Sequence, residues 1–134
     1  MTNSNRHLGN TFETELCKIL FDNGFWVHNL AQNKAGQPAD ILASRNGKAY
    51  LIDAKVCSKN EFSLKRVEEN QTLSMELWER TGNGQGWFAL KLTDEIYMVV
   101  DLVIKALANT QSKLSEKDIR EIGIPVGKWV TKCK

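Results

Sequence analysis

The sequence predicts an α/β domain built on a mixed β-sheet flanked by helices. Apolar residues recur at helical spacing near the start of the chain and again in its middle, and strand-like runs lie between and after them. Read in order, the 134 residues give α-β-β-β-α-β-β-α-α, the alternation of a sheet covered by helices.

Residues 8–23 form the first predicted helix. Phe12, Leu16, Ile19 and Leu20 share one face, and "DNG" at 22–24 stops it with a glycine. "FWVHNLA" (25–31) reads as a strand and "AQNKAGQ" as a polar loop. Two further strands, "ADILAS" and "KAYLIDAKV", are joined by Asn46-Gly47, a strong short hairpin signal. Ser63 is positioned to cap a helix running to about Arg80, with Leu64, Val67, Met75 and Trp78 inward, and "TGNGQG" ends it. It lacks the lysine of a phosphate loop and follows a helix, so it reads as a turn. "WFALKL" and "EIYMVV" are two more strands. A short helix at 102–109, a helix capped by Ser115 with Asp118 in the capping-box position, and the apolar piece "IPVGKWV" complete the chain. No linker divides it, so residues 1–134 are expected to be a single domain.

Bulk properties narrow the function. A hydrophobic share of 42% with 25% charged residues is that of a soluble globular protein. The net charge of +2 gives no strong overall field for a polyanion, so nucleic-acid contact would rest on local clusters: Lys59, Lys65 and Arg66, or Lys128, Lys132 and Lys134. Cys17, Cys57 and Cys133 have neither zinc-ligand spacing nor the pattern of a disulfide framework, and read as free thiols of a reducing compartment. The polar start lacks a signal-peptide apolar region, and no run is long enough to span a membrane. A cytoplasmic protein with no membrane partner is expected.

The hairpin carries the chemistry. With Asn46-Gly47 as its turn, Arg45 pairs with Lys48, and counting outward sets Asp40 opposite Asp53. Opposed side chains on an antiparallel pair have Cβ atoms about 4.5–5.5 Å apart. Lys55, two residues on, shares the face of Asp53. Two carboxylates so placed repel unless compensated, most simply by a divalent cation. An all-oxygen ligand set points to Mg²⁺ or Mn²⁺ rather than zinc. An Asp53–Lys55 ion pair at a solvated strand end is the plainer alternative. Glu13, at the edge of the first helix's buried stripe, and Gln71, inside the second's, complete a set that reads as assembled on one side of the sheet. Glu15, Lys18 and Asp22 share the solvent face.

Pro38-Ala39-Asp40 followed by Asp53-Ala54-Lys55 resembles the signature of the PD-(D/E)xK nuclease superfamily. "RHLGNTFE" is similar to the start of small Holliday junction resolvases of the archaeal and RecU types, and "FSLKRVEENQ" to the segment after the catalytic lysine in the RecU type. The two-residue turn leaves no room for the RecU projection and favours a compact resolvase. The resemblance implies a restriction-endonuclease-like fold and metal-dependent phosphodiester hydrolysis of branched DNA. It makes Glu13, Asp40, Asp53 and the Ala54 carbonyl metal ligands, with Glu13 acting through water. Lys55 stabilises charge or places the attacking water, and Gln71 orients the site. Arg6, Lys34, Lys59, Lys65 and Arg66 are the expected DNA contacts. Cutting a four-way junction symmetrically implies a homodimer, with "EIYMVV" and "IPVGKWV" as candidate interface segments. A nicking, repair or restriction-like nuclease, or a non-catalytic DNA-binding module on the same scaffold, are the alternatives.

Overall fold

The computed structural model describes residues 2–30 and 39–132, with side chains from Thr11 onward. Helix α1 (Thr2–Asp22) is followed by strands β1 (Trp26–Asn29), β2 (Ile41–Arg45), β3 (Lys48–Val56) and β4 (Phe62–Ser63), then α2 (Glu69–Trp78). Next come β5 (Trp87–Lys91), β6 (Ile96–Val100), α3 (Asp101–Ala108), β7 (Lys113–Leu114), α4 (Glu116–Ile122), β8 (Ile124–Pro125) and α5 (Val126–Lys132). Six strands form one sheet in the order β1-β2-β3-β5-β6-β8, and β4 pairs with β7 in a second, small sheet. All neighbours are antiparallel except β3 and β5. A parallel pair needs a crossover, and the segment carrying α2 supplies it.

Two apolar cores lie against the main sheet. Phe12, Leu16 and Leu20 of α1 pack with Ile41, Ile52, Ala54, Ala89 and Trp129. Met75 of α2, Ile104 of α3 and Ile119 of α4 pack with Leu51, Phe88, Leu90 and Val99. Alternation along β3 divides its side chains between the two: Ile52 and Ala54 face α1, and Leu51 faces α2. The predicted α/β class, with helices on both faces of a mixed sheet, is the one observed.

Several elements depart from expectation. The first helix begins well before residue 8. It ends as expected, with Gly24 at a φ of 88° that favours glycine. Ser63 caps no α-helix: tertiary pairing overrides the local signal, since Phe62 and Ser63 ladder with Leu114 and Lys113 and the Leu64 amide donates to the Ser112 carbonyl at 2.9 Å. Leu64–Arg66 then makes a single 3₁₀ turn, and α2 starts only at Glu69. The Ser115–Asp118 capping box forms as predicted.

The large apolar side chains of the two segments expected at an interface mostly turn inward. "EIYMVV" contains β6, which lies between β5 and β8 with Ile96 to Val99 buried. Trp129 is 1% exposed and its ring lies 5.8 Å from Phe25, 5.2 Å from Tyr50 and 5.6 Å from Trp87. Arg45 ties this aromatic group to the hairpin: its guanidinium lies over the Phe25 ring and donates to the carbonyls of Asn23 and Val130. The apolar tail therefore covers the protein's own sheet.

Candidate active site

The hairpin register is the predicted one from Arg45↔Lys48 to Ile41↔Ile52, with Asn46 and Gly47 both at positive φ, as a tight two-residue turn requires. One step further the ladder shifts. The Asp40 amide donates to the Ile52 carbonyl at 3.0 Å, and the Ala54 amide donates to Asp40 Oδ2 at 2.7 Å. Asp40 thus leans across the end of β2 onto the Asp53-Ala54 step rather than continuing the strict pairing.

Asp53 is fully buried, and neither of its oxygens receives a hydrogen bond among the described residues. The Lys55 ammonium stands 3.5 Å away, at ion-pair rather than hydrogen-bond distance, with its side chain 13% exposed. Burial, and then the neighbouring Asp40 carboxyl, push the Asp53 pKa well above the ordinary carboxylate range, against the opposing pull of Lys55. An anion here without a compensating cation would be costly. The solvated strand-end alternative does not describe this carboxylate.

Glu13 and Gln71 are also buried, and they arrive from opposite sides. Asp53 and Lys55 alternate with Ala54 and so face the α2 layer, where Gln71 lies with its Oε1 buried and unpartnered. Glu13 belongs to α1, on the other face of the sheet. It reaches the group at the sheet's end, where burial first and the charge of Asp40 second raise its pKa to about 7, with Lys55 opposing. The expectation of a site on one side of the sheet is corrected: the set straddles the end of β2 and β3. On the solvent side of α1, Lys18 bonds Asp22 at 2.9 Å and Glu15 pairs with Lys91.

Both Asp53 and Glu13 bind a proton more tightly folded than unfolded. Their stabilising contribution is complete below the unfolded carboxylate values of roughly 4 and is lost as pH rises through the folded values, about 7 for Glu13. In EDTA the melting temperature should therefore fall as pH is raised across this window. A flat or rising profile there would contradict the buried, protonated pair.

Among the described residues no three His, Cys, Asp or Glu side chains stand together as a ready-made metal cluster. The donor chemistry nevertheless fits a hard cation. Asp53 offers two buried oxygens with no hydrogen-bond donor, and Asp40 offers a second carboxylate beside it. Glu13 is coupled to Asp40 through charge.

Of the expected DNA contacts, Lys59, Lys65 and Arg66 are exposed just downstream of Lys55. Arg66 donates to the Val56 carbonyl at 2.7 Å and lies over the Phe62 ring. Arg6 falls within α1 with its side chain outside the described region, and Lys34 and Pro38 lie outside the described residues. The sequence reading missed Asn60. Lys59 and Asn60 both adopt left-handed backbone at φ near 55°, a conformation that costs a non-glycine residue. The Asn60 amide oxygen holds the turn by accepting from the Thr93 amide at 2.9 Å and its hydroxyl at 2.8 Å. Only the general tolerance of asparagine for left-handed backbone could have hinted at it.

A mixed sheet between helical layers, with two acids and a lysine converging where β2 and β3 end, defines a nuclease of the PD-(D/E)xK class with a restriction-endonuclease-like fold. The family model for archaeal Holliday junction resolvase (Hjc) matches residues 4–132, and the chain belongs to that family. It is 24% identical over 116 residues, 87% of this chain and 81% of the relative, to the crossover junction endodeoxyribonuclease Hjc of Methanocaldococcus jannaschii. The structure of Hjc, a Holliday junction resolvase from Archaeoglobus fulgidus, shares the fold with a TM-score of 0.71 at 19% identity, covering 91% of this chain and 99% of that one. No helix among the described residues is long and apolar enough to cross a membrane.

Proposed function

We propose that the chain is a metal-dependent endonuclease that cuts four-way DNA junctions by phosphodiester hydrolysis. The observation that carries this reading is the buried Asp53 carboxylate, without a hydrogen bond among the described residues, beside Asp40 and 3.5 Å from the Lys55 ammonium. Asp40, Asp53 and the Ala54 carbonyl would hold Mg²⁺ or Mn²⁺, with Glu13 acting through water, and the ion would supply a lowered pKa for the attacking water and positive charge against the phosphate. Lys55 donates to a non-bridging phosphate oxygen, where negative charge grows in the transition state. Gln71 Oε1 accepts a hydrogen bond from the attacking water and fixes its approach. Lys59, Lys65 and Arg66, with Arg6 and Lys34, hold the flanking backbone through contacts that carry position rather than sequence.

One chain holds one such site, whereas a junction is resolved by two symmetric cuts. The working unit is therefore a homodimer with two-fold symmetry. A synthetic four-way junction set beside linear duplex tests the whole reading. Magnesium should support paired cuts in the junction, EDTA should stop them, and the linear duplex should remain intact. Equal cutting of both substrates would instead mark a nuclease of another preference, and cleavage undiminished in EDTA would remove the metal.

A further inference from the structure

Directly after β3 the chain makes a turn that local preference does not favour. Lys59 and Asn60 both take left-handed backbone, at φ of 55° and 56°. Glycine would carry that backbone without strain, yet the chain places a lysine there. No residue from Ser58 to Asn60 is buried, so neither apolar core holds the turn. Polar cross-links hold it instead. Asn60 Oδ1 accepts from the amide and the hydroxyl of Thr93, in the turn between β5 and β6, at 2.9 and 2.8 Å. Asn60 Nδ2 donates to Glu116 Oε1 of α4 at 3.3 Å. The Asn60 amide donates to the Cys57 carbonyl at 3.1 Å, and the Cys57 amide to the Lys91 carbonyl at 2.9 Å, which carries the anchoring back to the end of β5. One residue thus ties the exit of the catalytic strand to two segments far away in sequence.

The turn presents Lys59 with its charge uncommitted. The side chain is exposed and has no ion-pair or hydrogen-bond partner among the described residues. The two acids at the turn are occupied: Glu61 by Lys113 at 3.1 Å and Glu116 by Arg120 at 2.9 Å. Lys59 is four residues beyond Lys55, at the end of the sheet where Asp40 and Asp53 meet. We propose that Asn60 is a positioning residue for DNA: by pinning the strained turn to Thr93 and Glu116, it fixes the Lys59 ammonium where a backbone phosphate flanking the scissile bond passes the site. The proposal rests on the reading of the protein as a DNA nuclease, and it names what sets one of its phosphate contacts. A lysine on a loose loop loses rotational freedom when it binds, whereas a lysine on a pinned turn is already in place. The strain at Lys59 and Asn60 then has a use, since backbone in sparsely populated conformations persists only where surrounding contacts over-determine it. Arg66 is held comparably on the same stretch, through the Val56 carbonyl at 2.7 Å, whereas Lys65 beside it is exposed.

A double-mutant cycle tests this, read by fluorescence anisotropy on a synthetic four-way junction in EDTA at several salt concentrations. Lys59→Ala should weaken binding about tenfold and lower the salt slope by about one ion per protomer. Asn60→Gly keeps a residue that accepts left-handed backbone and removes only the side-chain cross-links. It should weaken binding roughly three- to tenfold, although Asn60 itself faces Thr93 and Glu116. In the Lys59→Ala background the same change should cost less than about twofold, because the cation it positions is gone. Thr93→Val, which removes the hydroxyl donor to Asn60 Oδ1, loosens the turn by an independent route and should show a smaller loss with the same coupling. Circular dichroism checks the fold of each variant. Wild-type affinity in both Asn60→Gly and Thr93→Val, or losses that add in full to that of Lys59→Ala, would overturn the positioning role and leave the nuclease reading standing. That reading fails separately, if wild type does not cut the junction with magnesium.

Discussion

Asp53→Asn should abolish cleavage and leave junction binding unchanged or tighter. The substitution keeps the side chain's volume and removes the charge from a position with no exposure and no hydrogen-bond donor on either oxygen. If that carboxylate holds the cation, the amide cannot replace it, because a neutral oxygen binds a hard dication far less strongly. Binding should not suffer, since a negative charge near the DNA phosphates is lost. The variant should also melt higher than wild type in EDTA at neutral pH, because ionising Asp53 in the folded state is costly. Gel-shift and single-turnover cleavage on the same junction separate the two effects. Retained metal-dependent cleavage would take Asp53 out of the reaction.

Lys55→Ala should lower the single-turnover rate by roughly 10²–10³-fold, the scale for losing one preorganised electrostatic donor, with little change in junction affinity. The reason lies in its placement. An ammonium 13% exposed and 3.5 Å from a buried carboxylate is held in position rather than sweeping through solvent. Such a group serves the charge that develops during the reaction more than the charge already on the substrate. A loss of affinity that matches the loss of rate would instead make Lys55 a phosphate anchor.

What could be read in the chain depended on how local the determining contacts are. The pairing of Arg45 with Lys48 through Ile41 with Ile52 follows from a two-residue turn and strand alternation, both visible in twelve adjacent letters. It was enough to bring Asp40, Asp53 and Lys55 together. The offset at Asp40 was not visible, because it depends on how the chain re-enters the sheet, with the Leu30 amide bonded to the Asp40 carbonyl at 2.8 Å. Ser63 carried a sound capping signal and lost it to a ladder with residues about fifty positions away. Glu13 stood out at the edge of an amphipathic stripe, but no periodicity says which face of a sheet a helix will cover. Trp129 lies in "IPVGKWV", which the sequence offers as a candidate interface segment. Its role became clear only with Phe25, Tyr50 and Trp87 around it, three residues drawn from three separate strands or their flanks.

The parallel pairing of β3 with β5 has a consequence during synthesis. By the time Val56 has left the ribosome, α1 and the three strands through β3 are available, and β2 and β3, which bring Asp40 and Asp53 together, can already zip through their tight turn. The open flank of β3, from Ile52 to Val56, has no partner until Trp87–Lys91 emerges. At ordinary elongation rates of about 5–20 residues per second, that wait is on the order of seconds. For that interval a nascent chain displays an unpaired apolar strand edge, the kind of template on which neighbouring chains associate. The site is framed early and its sheet is closed late, so nascent chains should depend most on chaperone cover while residues 57–86 are being made.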